Sequence, residues 1–258
     1  MLSATIWWAG ILLGALILLR GLREKCLRKY PFFYVYSACV VGASLPGYFL
    51  YASNSTAYDA WYWGAQFVTL ILGYGILLEI LNNVLSAYPG AERFARISGL
   101  VALGAIACFA VVWPLVMPHT SSSTHAASAM MVEFERDLRT VQAIFICGLL
   151  GVASYYGIEI GKNMKGMILG YGLYILTSLM SLAVQAHAGT SFYQIWAVIQ
   201  PLSYDVSLVV WLAALWSYQP NPIPDSTIRL ESDYEAFVVR TRGAIGAMRS
   251  HLSKAARA

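Results

Sequence analysis

Residues 191–218, SFYQIWAVIQPLSYDVSLVVWLAALWSY, decide the fold. The stretch exceeds the ~20 mainly apolar residues that a bilayer crossing needs. It carries Asp205 near its midpoint, four residues beyond Pro201. A carboxylate at the bilayer centre costs at least ~2.5 kcal/mol on insertion scales. A proline inside a helix also frees a backbone carbonyl that a neighbour must satisfy. Both costs fall when other helices surround this one, so 191–218 reads as the central helix of a membrane bundle.

The rest of the chain agrees. Of its 258 residues, 59% are hydrophobic and 12% charged, against ~25% charged in soluble domains. So little polar surface cannot clothe a soluble globule of this size, and the expected class is an all-α polytopic membrane protein. The net charge of +4 is spread over loops and a tail, which is no nucleic-acid footprint. Cys26, Cys39, Cys108 and Cys147 have no metal-knuckle spacing and read as small buried hydrophobes.

Seven apolar segments follow one another, at about 2–20, 31–52, 60–84, 97–117, 139–160, 166–188 and 192–218. Each nearly or fully spans ~30 Å of hydrocarbon at 1.5 Å per residue. Of the 17 Lys and Arg residues, all but Arg136 and Arg139 fall on one face of a seven-span arrangement. That face is expected to be cytoplasmic, with the N-terminus outside and the C-terminus inside. The first apolar run precedes its positive cluster, the order of an inserted first helix and not of a cleaved signal peptide. The organisation predicted is a transmembrane domain over 1–218 and a cytoplasmic linker and helix over 219–258. Trp7, Trp8, Trp61, Tyr62, Trp63 and Trp196 gather toward outer ends, as aromatic belts do.

Two polar segments flank this core. The outer loop 118–138 runs into the fifth segment through VEFERDLRT, residues 132–140. It is expected to extend the fifth helix as a solvated stalk on which Glu133, Glu135, Asp137, Arg136 and Arg139 pair locally. In the tail, PNPIPDS at 220–226 breaks the chain, and Ser232 with Glu235 forms a capping box. Phe237, Thr241, Ile245, Met248 and Leu252 then recur at helical spacing, with Arg240, Arg242, Arg249 and Lys254 on other faces. This amphipathic helix suits the inner leaflet or a protein partner.

Asp205 is the most distinctive buried charge, and Gln200, Ser203, Tyr204 and Ser207 make its surroundings polar. Thr177, Ser178 and Ser181 lie at similar depth on the sixth segment, and Thr69 and Tyr74 on the third. Two readings stand: a ligand or relay pocket around Asp205, or a carboxyl that holds helices in register. Glu79, two turns from the inner end of the third segment, either snorkels to basic loop residues or faces a cavity. Arg139 and Gln142 form an outer-face polar pair. Paired glycines, Gly157 with Gly161 and Gly10 with Gly14, have the small-xxx-small spacing of close helix contacts.

Absences narrow the chemistry. The seventh segment has no lysine for a retinal Schiff base. No segment holds a central histidine for haem, and no His and Asp cluster offers a zinc site. Gly-rich phosphate loops, a nucleophile elbow and an intramembrane Ser–Lys pair are missing. No catalysis, cofactor or metal is expected.

Two blocks carry a resemblance. One is ILLEILNNVLSAYPGAERFAR at 76–96, the other FERDLRTVQAIFICGLLGVASYYGIEIGKNMKGMILGYGLYI at 134–175. Together, over about a quarter of the chain, they resemble an uncharacterised family of seven-helix integral membrane proteins common in acidobacterial genomes. The resemblance implies a multi-pass protein of a bacterial inner membrane and imports no activity. The leading expectation is a non-catalytic seven-helix sensor or receptor-like module signalling through a cytoplasmic partner. The alternatives are a structural accessory subunit of a larger membrane complex and a proton- or ion-coupled transporter. Expected partners are the lipid bilayer and a cytoplasmic or membrane protein, a second copy included.

Overall fold

The computed structural model describes residues 2–24, 26–53, 55–86, 88, 97, 99, 101, 104, 124–187, 190–219 and 232–243. All regular structure among them is helical. We number the long helices α1 (Leu2–Arg23), α2 (Pro31–Ala52), α3 (Tyr58–Val84), α4 (Thr124–Tyr155), α5 (Lys162–His187) and α6 (Thr190–Ala214). A single 3-10 turn, Cys26–Arg28, joins α1 to α2, and 232–243 forms a helix in the tail. The expected fourth span at 97–117 lies outside the described residues apart from four isolated positions, as does the tail beyond 243.

Four of these helices are long and apolar enough to cross a membrane: α1 from Ala4, α2, α3, and α4 from Phe134. In α6 the stretch Val198–Ala214 is apolar but shorter. α5 begins with Lys162, Asn163 and Lys165 and carries Thr177, Ser178 and Ser181, which lowers its mean hydropathy.

Local chemistry sets the helix ends. Pro31 opens α2 at its first position, where the fixed φ suits a helix and the missing N–H is not needed. α4 stops five residues short of the expected 160. Gly157 takes a positive φ of 64°, the Ile158 N–H bonds Ala153 O at 2.8 Å, and the Gly157 N–H bonds Ser154 O at 3.3 Å. This pair of bonds is a Schellman motif, whose left-handed residue favours glycine. Gly157 is therefore a helix stop and not a packing glycine, since a Cβ there would meet no atom within 4 Å.

Other glycines do set helix distances. A Cβ on Gly166 would lie 3.4 Å from Ala214 Cα, and one on Gly170 would lie 2.7 Å from Trp211 Cδ1. These two bring α5 close against α6, burying Trp211 completely. Gly14 is closed off by the Val41 side chain, so the first helix uses its small residues within the chain.

Contacts fix the helix directions. Arg20 Nε donates to Trp216 O at 2.8 Å, and Asn163 Nδ2 donates to Ala214 O at 2.8 Å. The C-terminal ends of α1 and α6 thus share one end of the bundle with the N-terminal end of α5. Trp7 Nε1 donates to Ser44 O and Trp61 Nε1 to Ala43 O at the opposite end. Both indoles serve carbonyls beside Pro46, which interrupts α2. A proline there removes one ladder bond and tilts nearby carbonyls outward. Pro46 makes α2 a second interrupted helix beside α6 with Pro201, where only the latter was expected to matter.

Candidate functional site

Among the described residues the most heavily buried charges are not on α6. Glu135 and Arg139, one turn apart on α4, form an ion pair of 2.7 Å with side-chain exposures of only 8% and 3%. The stretch expected as a solvated stalk therefore turns one face into the bundle. Gln66 Nε2 on α3 donates to the same Glu135 Oε1 at 2.5 Å. Arg139 Nη2 donates to the Tyr174 hydroxyl on α5 at 3.1 Å, and its guanidinium lies 4.9 Å from the centre of that ring. A weakly hydrated planar cation fits such a site better than an ammonium would.

From Tyr174 an aromatic chain runs to α6 and on to α2. Tyr204 packs on Tyr174 at 5.4 Å and 65°. Trp211 meets Tyr204 at 6.4 Å, Tyr36 at 6.3 Å and Phe33 at 5.1 Å, each close to perpendicular. Edge-to-face pairs of this kind contribute ~0.5–1.5 kcal/mol beyond the area they bury. Trp211 Nε1 donates to Met167 O at 3.3 Å, so its one polar atom is satisfied. Tyr36, Tyr171 and Gln66 belong to this interior although the sequence reading did not nominate them, and Glu135, expected to pair on a solvated stalk, joins them.

The nominated residues do not converge on one pocket. Arg139 and Gln142 are both buried, at 2% and 0% exposure, but have different partners. Gln142 Nε2 donates to Leu70 O at 3.3 Å, and its Oε1 has no protein partner. Gly73 leaves the room that the Tyr171 hydroxyl and Gln142 Nε2 occupy. Ser181 donates to Gln200 Oε1 at 3.0 Å, bridging α5 and α6. Ser203 and Ser207 bond backward to the carbonyls of Gln200 and Ser203, and Thr177 to that of Leu173. Ser178 is buried with its Oγ unpaired.

Asp205 faces another way. It is 9% exposed and its Oδ1 would lie 2.8 Å from a Cβ built on Gly10 of α1. Gly10 thus leaves room for a carboxylate at the α1–α6 contact. Adding a methyl group should push the helices apart or force Asp205 off its rotamer. Gly10→Ala is expected to destabilise the protein by roughly 1–3 kcal/mol, and Asp205→Ala in the same chain should recover most of that loss. A denaturant titration of both single variants and the double variant checks it; additive effects would show that the two positions are uncoupled.

Glu79 lies at the opposite end of α3 from Gln66, buried to 5% exposure. Among the described residues it has no ion-pair partner. Its Oε1 accepts the Phe32 N–H at 3.1 Å and its Oε2 the Phe33 N–H at 3.0 Å. Glu79 therefore caps α2 from another helix. A second clamp holds the end of α6, where Asn163 Nδ2 also donates to Ser217 O at 2.9 Å and Asn163 Oδ1 accepts the Gln219 N–H at 2.7 Å. Arg20 lies over the Trp216 ring at 4.8 Å, and Lys29 over Tyr218 at 5.7 Å. The point where the tail leaves the bundle is thereby tied to α1, α5 and the α1–α2 turn.

Among the described residues no three His, Cys, Asp or Glu side chains come together as a metal site. Cys26 is buried in its turn, Cys39 is half-buried and Cys147 is exposed, so Cys147 departs from the expected burial. Burial and the nearby Glu24 carboxylate push the Cys26 thiol up, which makes it a poor nucleophile. No family model matches the chain, and no curated protein and no solved structure matches it either.

Proposed function

We propose that the chain is a seven-helix membrane sensor without catalysis, N-terminus outside, relaying an outer signal to a cytoplasmic partner through its tail. The observation that carries this reading is the unbroken line from Glu135–Arg139 through Tyr174 and Tyr204 to α6. α6 continues into the clamped exit of the tail. Arg139 keeps further N–H groups beyond those given to Glu135 and Tyr174, so a ligand offering oxygen acceptors fits its chemistry. The seven-span topology draws support from α3 and α4. Gln66 meets Glu135 and Tyr74 bonds Leu138 O, so the two helices run parallel. The chain between them must pass from the C-terminal end of α3 to the opposite end, where α4 begins, as a crossing at 97–117 would do. The resemblance to a bacterial inner-membrane family is part of this proposal.

Amide exchange tests the relay. Tyr204→Ala is expected to raise exchange severalfold in 210–219 and 232–243 while α3 keeps its protection. Protection left unchanged in the tail would disconnect it from the buried pair and sink the reading.

A second reading, an accessory subunit of a larger complex, rests on the outward face of α4. There Cys147, Gly148 and Gly151 are exposed, and a Cβ on either glycine would meet no atom within 4 Å. Small lipid-facing residues allow close approach of another helix. A stoichiometric partner in mild detergent would favour it, and a free monomer would count against it. An ion-coupled transporter using Asp205 and Glu79 draws less support, because Glu79 is engaged as a helix cap.

A further inference from the structure

We propose that the cleft at the α4–α5 junction binds the phosphate group of an anionic phospholipid. An open cleft of about 760 Å³ lies between the end of α4, residues 157–161, the first turn of α5 and Gln219. Lys162 and Lys165 line it, both exposed, and neither has an ion-pair partner among the described residues. Glu159 also lines it, leaving a net charge of one positive unit. The Lys162, Asn163 and Met164 amides that open α5 have no intrahelical acceptor, the Lys165 N–H being taken by Gly161 O at 2.9 Å. The Asn163 side chain cannot cap them, being engaged by Ala214, Ser217 and Gln219. That same engagement holds Gln219, the cleft's far wall, in place.

Charge alone would suit a soluble phosphate equally. The remaining wall decides for a lipid, because Leu150 and Ile158 line the same cleft and Leu150 is 40% exposed on the apolar face of α4. A molecule with a phosphate at one end and an acyl chain at the other satisfies both walls. The cleft shares its end of the bundle with Arg20, Arg23, Arg28 and Lys29, the side that the positive-inside rule assigns to the anionic leaflet. The proposal does not require the relay, since lipid retention and tail exchange are separate readouts.

Native mass spectrometry of the full chain in mild detergent tests it, with phosphatidylglycerol competing against phosphatidylcholine. The unaltered protein should retain phosphatidylglycerol preferentially, and Lys162→Ala with Lys165→Ala should weaken that retention roughly tenfold. Lys162→Arg with Lys165→Arg should keep it. Arg23→Ala with Arg28→Ala, which removes the same charge elsewhere at this end, should change it by no more than about twofold. Equal losses in the two alanine pairs would reduce the effect to diffuse attraction and overturn the site. Displacement of the lipid by millimolar glycerol 3-phosphate would overturn the lipid assignment, and no preference at all would overturn both.

Discussion

Replacing Arg139 by alanine is expected to destabilise the protein by about 3–5 kcal/mol. The loss comes less from the missing attraction than from what remains. Glu135, with its side chain 8% exposed, would keep only the Gln66 amide at 2.5 Å as partner among the described residues. Tyr174 would lose both the N–H at 3.1 Å and the cation over its ring, a contact of up to ~2 kcal/mol when desolvated. Removing both charges together, Glu135→Leu with Arg139→Met, is expected to cost far less, because the desolvation penalty of both ions disappears with them. Arg139→Lys should fall between, keeping a charge but losing the planar fork. Denaturant titration of the three variants in mild detergent orders them. A single variant as mild as the double would mean that the pair is solvated after all.

Part of this arrangement was legible in the chain and part was not, for a physical reason that recurs. The spacing of Glu135 and Arg139 announces an ion pair on one helix face. Whether that face meets water or α3 depends on Gln66, 69 residues away, and no local pattern encodes that meeting. The stripe Leu138, Gln142, Ile146, Leu149 and Ala153, all buried, has helical spacing that runs straight out of the expected stalk into the membrane segment. Followed upstream, it would have placed Arg139 inside. Asp205 stood out because a charge in an apolar run is rare. Its neighbour Gly10 is 195 positions earlier, and an absent side chain leaves no chemical signal of what it makes room for. The boundaries of α2 were readable because proline at the first turn acts locally, whereas the end of α4 at Gly157 was mistaken for continued helix. A glycine that stops a helix and one that packs a helix look alike until φ is known.

Glu79→Ala is the second substitution with a large expected effect, about 3 kcal/mol, from two buried N–H groups losing their acceptors. The start of α2 allows a complete accounting of its free donors. The Tyr30 N–H bonds Cys26 O at 3.0 Å, Pro31 has no N–H, and the Tyr34 N–H bonds Tyr30 O at 3.1 Å. Only Phe32 and Phe33 remain, and Tyr30 offers them no side-chain cap. The Glu79 carboxylate takes one with each oxygen, and its charge also complements the positive end of the α2 dipole. Glu79→Gln retains a single acceptor oxygen, so it should lose roughly half as much. Glu79→Asp is one methylene shorter and should fail to reach both donors. Global unfolding gives the magnitude, while amide exchange at Phe32 and Phe33 gives the cause. Faster exchange at those two amides with α6 still protected is the expected pattern, because the cap acts on the α2 start alone. A loss of stability that left both amides protected would assign Glu79 to some other role and reopen the transport reading, which needs a carboxylate free to change partners.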